Sequence, residues 1–347
     1  MNHWRYAGRE KGSSLIELMV TIIIGMLIVL AVLNLFLAST RTHKTTENLS
    51  RIQENARIAF ELIAFDLRQA GGTPCGRPTK VANVINISTE MPWFTTGVRG
   101  YESSQSIPGT SAGNRAGGTD ALTYGLASST GVAVENHEAG NAARFQLNTT
   151  AHGLIDGDVV MVCDNNLAAI LQITTANDST DTVTHNTGNT VSPGNCEKEL
   201  VPDTTCANPT AIRGKGSPDE CGVIEPDSYY EFCKNSVLVR YESALWFIGC
   251  NGRAADCSAL GGRSLYKVQF PDPAQEVVPD IQDMQIQYMV AGGSEYVDAS
   301  SIINWDAITA IRISLTLVGP DAGVTTSSVQ TQRLTRTVSH VVNLRNQ

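Results

Sequence analysis

The stretch LIELMVTIIIGMLIVLAVLNLFL, residues 15–37, holds a single charged residue, Glu17. As a helix rising about 1.5 Å per residue it is roughly 35 Å long, enough to cross the hydrocarbon core of a bilayer. Ahead of it, MNHWRYAGREKG (1–12) carries Arg5, Arg9 and Lys11 against Glu10. Basic residues on that side keep it cytoplasmic and place the chain after residue 37 outside. A secretory signal has a shorter apolar run followed closely by a small-residue cleavage site. Here the small residues Gly12, Ser13 and Ser14 come before the run. The apolar segment is therefore expected to stay on the mature chain.

From Thr40 the pattern turns amphipathic. Leu49, Ile52, Ala56, Ala59, Phe60, Ile63, Leu67 and Ala70 recur at spacings of three and four, one face of a helix. Arg51, Glu54, Arg57, Glu61, Asp66 and Arg68 are assigned to its other sides. Gly71-Gly72 and Pro74 stop it. One helix over 14–70, about 85 Å long, follows. Its first half needs lipid or other helices; its second needs a globular domain laid on its apolar stripe. A signal anchor with a coiled-coil stalk is the plain alternative, but the stripe is too short for the heptad test.

The remainder reads as β-rich and loop-rich. Charged residues make up 17% of the 347, against roughly a quarter in ordinary domains. Strand character falls on 121–124, 143–147, 158–163, 168–174, 237–241, 244–248, 264–270, 281–290, 308–318 and 334–344. Ile311, Ile313, Leu315 and Leu317 alternate with Arg312, Ser314, Thr316 and Val318, as in a sheet with one face on the core. That core is expected to be the helix stripe. The segment 175–235 is rich in Asn, Asp, Thr, Pro and Cys and is read as a long excursion, within a Cys-rich insertion of about 175–260.

The eight cysteines, Cys75, Cys163, Cys196, Cys206, Cys221, Cys233, Cys250 and Cys257, include no C-x-x-C pair, so zinc is not indicated. Their even number in an exported chain points to disulfides. The sequence leaves the connectivity open, with Cys250–Cys257 one plausible close pair. The formal net charge of −9 gives no footprint for nucleic acid. Hydrolase, zinc-peptidase and nucleotide-binding signatures are absent, and the six histidines form no spaced pair. No catalytic residue and no cofactor are assigned. His152 with Asp156 and Asp158 reads as a polar turn before a strand. Calcium is the one metal weighed, at Asn177, Asp178 and Asp181, or at Glu295 and Asp298. Neither stretch matches an EF-hand, and Asx-rich turns are common without metal.

The residues KGSSLIELMV at 11–20 resemble the signal of type IV prepilins and pseudopilins. RIQENARIAFELIAFDLRQAG at 51–71 is similar to the PilW-like minor pilins, and looser likeness runs through TDALTYG at 119–125, GLIDGDVVMVCDNNLAAILQIT at 153–174, VPDIQDMQIQYMV at 278–290, WDAITAIRISLTLVG at 305–319 and TVSHVVNLRN at 337–346. The resemblance implies the α+β type IV pilin fold: a long N-terminal helix, transmembrane then amphipathic, on an antiparallel sheet domain (71–347) with a large disulfide-containing loop region. It implies that a prepilin peptidase removes 1–12, cutting between Gly12 and Ser13, and methylates the amine of Ser13. It assigns Glu17 to the amine of a neighbouring subunit. Ser13 stands where the family usually has Phe or Met, and Asn34 where major pilins often have proline. The implied role is a non-enzymatic minor pilin that helps start pilus assembly near the tip. Its implied partners are the lipid bilayer, other minor pilins, the major pilin, a tip adhesin and the inner-membrane assembly platform. The implied location is the inner membrane, single-pass, and then the cell-surface pilus. A minor pseudopilin of type II secretion and a single-pass anchored enzyme or receptor domain are the alternatives.

Overall fold

A computed structural model describes residues 14–76, 80–86, 97–108, 115–140, 142–188, 190–202, 206, 219–225, 228–269, 272–322 and 333–345. The architecture is α+β. Helix α1, Leu15–Gln69, is followed by β1 (Lys80–Asn83), β2 (Val98–Tyr101), β3 (Ala121–Glu138), β4 (Arg144–Leu147), β5 (Val159–Cys163), β6 (Leu167–Gln172) and β7 (Thr182–Thr184). Then come β8 (Val237–Cys250), β9 (Arg263–Gln269), β10 (Gln275–Pro279), β11 (Ile281–Val290), β12 (Tyr296–Val297), β13 (Ile308–Ala322) and β14 (Arg333–Asn343). The chain divides into two units, Met1–Arg51 with Gly319–Leu334 and Ile52–Val318 with Thr335–Gln347.

In the first unit, α1 is exposed over its apolar span. Buried Asn48 meets β13: its amide oxygen accepts from the Asp321 N–H at 3.0 Å. Its amide nitrogen donates to the Lys44 carbonyl at 2.9 Å. Gly319 makes this approach possible, because a Cβ there would lie 2.7 Å from the Asn48 amide oxygen.

In the second unit, the apolar stripe of α1 is buried as its spacing predicts: Ile52, Ala56, Ala59, Phe60, Ile63, Leu67 and Ala70. The helix ends at Gly71, whose φ of 70° suits a residue without Cβ. Its N–H is taken by the Gly125 carbonyl of β3 at 2.8 Å. A four-stranded sheet, order β12-β11-β13-β14, accompanies the stripe. Ile311, Ile313, Leu315 and Leu317 of β13 are fully buried, as their alternation requires. The Phe60 ring lies 5.4 Å from that of His340 in β14, and Asn55 donates to the Pro279 carbonyl.

The ten-stranded sheet runs β1-β6-β5-β8-β3-β4-β7, with β9 on β8, β10 on β9 and β2 on β3. All its pairs are antiparallel except β1 with β6. The two predicted strands 237–241 and 244–248 are one, β8, pairing with β3, β5 and β9. The span read as an insertion of 175–260 thus contains a central strand. Irregular chain fills most of the described part of 175–236. β5 and β6 are apolar on both sides because they separate two cores. Val160, Val162, Ala169 and Leu171 join Phe145, Tyr230 and Phe232, while Met161, Cys163, Ala168 and Ile170 join Val239 and Tyr241.

All eight cysteines are paired: Cys75–Cys163, Cys196–Cys206, Cys221–Cys233 and Cys250–Cys257. Cys75–Cys163 ties the segment after α1 to the end of β5. The next two hold the excursion. Asn195 holds it as well: its side chain accepts from the Gln172 N–H and donates to the Gln172 carbonyl, both at 2.7 Å.

Candidate functional site: the N-terminal helix and its anchor

Residues 15–37 expose eighteen large apolar side chains, from Leu15 at 74% through Phe36 at 66% to Leu37 at 52%. Each such side chain gains about 1.5–3 kcal/mol on full burial, so this surface is unsuited to water. The segment is long and apolar enough to be a candidate membrane anchor. Its polar atoms suit that setting. The Thr21 hydroxyl bonds back to the carbonyls of Glu17 (2.8 Å) and Leu18 (2.9 Å), so it is satisfied within the helix. Glu17 lies in the first turn, where a carboxylate complements the helix dipole. Gly12 and Ser13 lie outside the described residues.

The other end of α1 is held by a buried charge. Asp66 was assigned to the polar sides of the helix, but it is only 7% exposed. Its Oδ2 accepts from Tyr124 Oη in β3, from Trp246 Nε1 in β8 at 2.9 Å and from Lys267 Nζ in β9 at 2.9 Å. The Lys267 ammonium also stands over the Trp246 ring, 5.3 Å from its centroid. Burial, and then the Asp66 charge, push the Tyr124 hydroxyl pKa far above its ordinary value. Tyr124 is therefore a fixed donor. The carboxylate clamps helix to sheet because three donors from three strands converge on one oxygen.

The outward side of the same helix carries a second surface. Ile58, Leu62 and Phe65 are 41%, 39% and 63% exposed. Their spacing of four and three puts them on one line, opposite the buried stripe. The sequence carries this spacing, but only the buried stripe was read from it.

The remaining candidates are occupied by local structure. His152 Nδ1 accepts from the Leu154 N–H, Asp156 from the Ala176 N–H, and Asp158 pairs with Arg240 at 2.9 Å. They form turns around the start of β5 and share no common ligand position. Asp181 accepts from Gln146 and Thr182, which hold its carboxyl below the usual range. Asn177 caps its own turn through the Ser179 N–H, and Asp298 accepts from Gln287. Among the described residues no three His, Cys, Asp or Glu side chains gather as a metal site.

One buried pair escaped the sequence reading. His137 and His185 lie 5.6 Å apart, both stacked on the Phe145 ring, with Phe232 beside His137. His137 Nδ1 accepts from the Phe232 N–H at 3.1 Å. His137 Nε2 and both nitrogens of His185 have no partner among the described residues. Burial lowers both pKa values, that of His185 to about 3.

Comparison of the chain with family models, with curated proteins and with solved structures finds no match.

Proposed function

We propose that this chain is an exported filament subunit of the type IV pilin kind, a minor pilin resembling the PilW-like group, and not an enzyme. The observation that carries the reading is one unbroken helix with two contrasted halves. Residues 15–37 are exposed and apolar on every side with one carboxylate, Glu17, while 52–70 bury a single stripe. Four disulfides in the part beyond the apolar segment support export to an oxidising compartment.

In this reading residues 15–37 wait in the inner membrane with the basic leader on the cytoplasmic side. A prepilin peptidase removes 1–12 and methylates the Ser13 amine. An assembly platform then moves the mature chain from lipid into a bundle of like helices from other minor pilins and the major pilin, near a tip adhesin. A carboxylate inside such a bundle needs a cationic partner, and the amine at a neighbour's N-terminus supplies one. Glu17 thereby sets the axial register between subunits. The exposed line Ile58, Leu62 and Phe65 gives the second half of the helix an apolar surface for the same packing.

Mass spectrometry of the N-terminus from cells with an active prepilin peptidase tests the reading. The expected chain begins at methylated Ser13. Gly12→Trp should leave the leader attached and the pilus unassembled. Glu17→Leu should be cleaved normally yet be missing from sheared filaments. An intact Met1–Gly12 leader on the wild-type chain overturns the reading.

A further inference from the structure

We propose that the outer edge of β14 accepts an extended, acidic strand from another polypeptide. β14 ends the small sheet and pairs with β13; among the described strands none pairs with its other side. Three contacts give the register. Ser314 and Ser339 hydroxyls meet at 2.7 Å, Thr316 and Thr337 hydroxyls at 2.8 Å, and the Leu344 N–H donates to the Thr309 carbonyl at 2.9 Å. All three fit a single antiparallel alignment. In such a ladder, residues that bond to the neighbour alternate with residues that point away from it. Since Leu344 bonds inward, Thr337, Ser339, Val341 and Asn343 turn their N–H and C=O groups outward.

Open edges of this kind are usually blocked by proline, bulges or charge. β14 contains no proline, and its register is regular from 337 to 344. Its permanent charges, Arg333 and Arg336, are of one sign. Arg345 lies just beyond the strand, and none of the three is buried. No Asp or Glu occurs after Asp321, in a chain whose net charge is −9. Like charges therefore oppose pairing of two β14 edges, and a strand carrying carboxylates meets the arginines favourably. Thr335–Asn343 extends about 30 Å, room for roughly nine paired residues. Main-chain hydrogen bonds would hold such a strand, and the arginines would select it.

This edge is present whether or not residues 1–12 are removed, so its test is separate from that of the filament reading. The full chain in detergent micelles is titrated with a capped peptide of about nine residues that alternates valine or threonine with glutamate. A second peptide has lysine for each glutamate. The glutamate peptide is expected to bind at least about 10-fold more tightly. It should slow amide exchange at Thr337, Ser339, Val341 and Asn343. Arg336→Glu with Arg345→Glu should reverse the preference. Val341→Pro removes one outward N–H and should abolish binding with the melting temperature retained. If that variant unfolds, the charge reversal decides alone. Absence of binding, equal binding of the two peptides, or protection elsewhere overturns the proposal. So does protection of the same amides by raising the protein concentration alone, which would assign the edge to a second copy.

Discussion

From Leu15 to Leu37 the helix is apolar on every side and every side chain is exposed; from Ile52 to Ala70 its main apolar stripe is buried, and only the short line Ile58, Leu62 and Phe65 is apolar on the outward side. Both halves have the same backbone geometry, so helix propensity does not separate them. The number of apolar faces does. A helix greasy all round has no single side to give to a sheet and needs lipid or many neighbours, whereas one stripe matches one sheet face. The largest expected effect breaks this contrast directly. Ile63→Asp puts a charge into the stripe without a partner and should cost more than about 4 kcal/mol, abolishing the cooperative melt of the β part. Leu27→Asp should leave that melt unchanged in detergent and weaken membrane insertion by about 3–4 kcal/mol. Near-UV circular dichroism and the membrane-bound fraction separate the two; equal loss of the melt in both variants defeats the contrast.

Next in size is the cross-link just after the helix. Cys75–Cys163 spans 88 residues, and Cys250–Cys257 spans 7. Loop-closure entropy puts the first at about 4–5 kcal/mol and the second at about 2–3. Paired serine substitutions should show this order in urea unfolding. The reverse order would mean that the end of α1 is held in place without its disulfide. One hold independent of it is Asp66. Asp66→Ala leaves Lys267 and the Trp246 N–H without their carboxylate and should cost about 3 kcal/mol, with Asp66→Asn losing less. Thermal melts of the two variants test the clamp.

Asp66 also marks where sequence reading stops. The stripe itself was legible, because residues three and four apart on a helix are spatial neighbours. So were the stop at Gly71 and the alternation of β13. Asp66 looked like one more polar-face residue because its partners stand 58, 180 and 201 positions away, and no local period reports them. β8 was split in two at Glu242-Ser243, a polar break inside a strand. In the fold Ser243 is buried and donates to the Tyr124 carbonyl of β3, so the strand continues. The pairing of Cys75 with Cys163 was hidden for the same reason. Glu17, by contrast, stands out in the sequence as the lone charge among apolar residues, and the fold places it in the first turn of α1.

Acid should destabilise the globular half. His137 and His185 are neutral when folded because burial penalises their charged forms. When unfolded they titrate near 6.5. Their folded pKa values are depressed, so below about pH 6.5 the unfolded chain binds more protons and stability falls with pH. His185 contributes about 1.4 kcal/mol per pH unit down to about pH 3, and His137 acts in the same direction. Asp120 opposes them. Burial raises it to about 6, so the folded state holds its extra proton between about 6 and 3.8 and cancels one histidine there. With Asp120 set against His185, the shift of His137 leaves stability falling as the pH drops below 6. Urea unfolding at pH 7, 5.5 and 4.5 measures it. In His185→Phe, which removes one titrating ring, the slope between pH 6 and 4 should fall by about 1.4 kcal/mol per unit. An unchanged slope would show that the histidines are not its source.

The smallest effect sharpens the comparison most, because it asks whether the second half of the helix has one working face or two. Leu62 lies on the outward line with Ile58 and Phe65 and is 39% exposed. Leu62→Gln keeps a good helix former and removes little buried area, so the melting free energy should change by under about 0.5 kcal/mol. Leu67→Ala, about 1.4 turns further along on the buried stripe, should cost about 2–5 kcal/mol. If both variants were equally destabilised, the outward line would belong to the fold itself. If Leu62→Gln melts like the wild type yet drops out of sheared filaments, the line serves packing between subunits. The helix would then use one face to hold its own sheet and the opposite face to hold its neighbours.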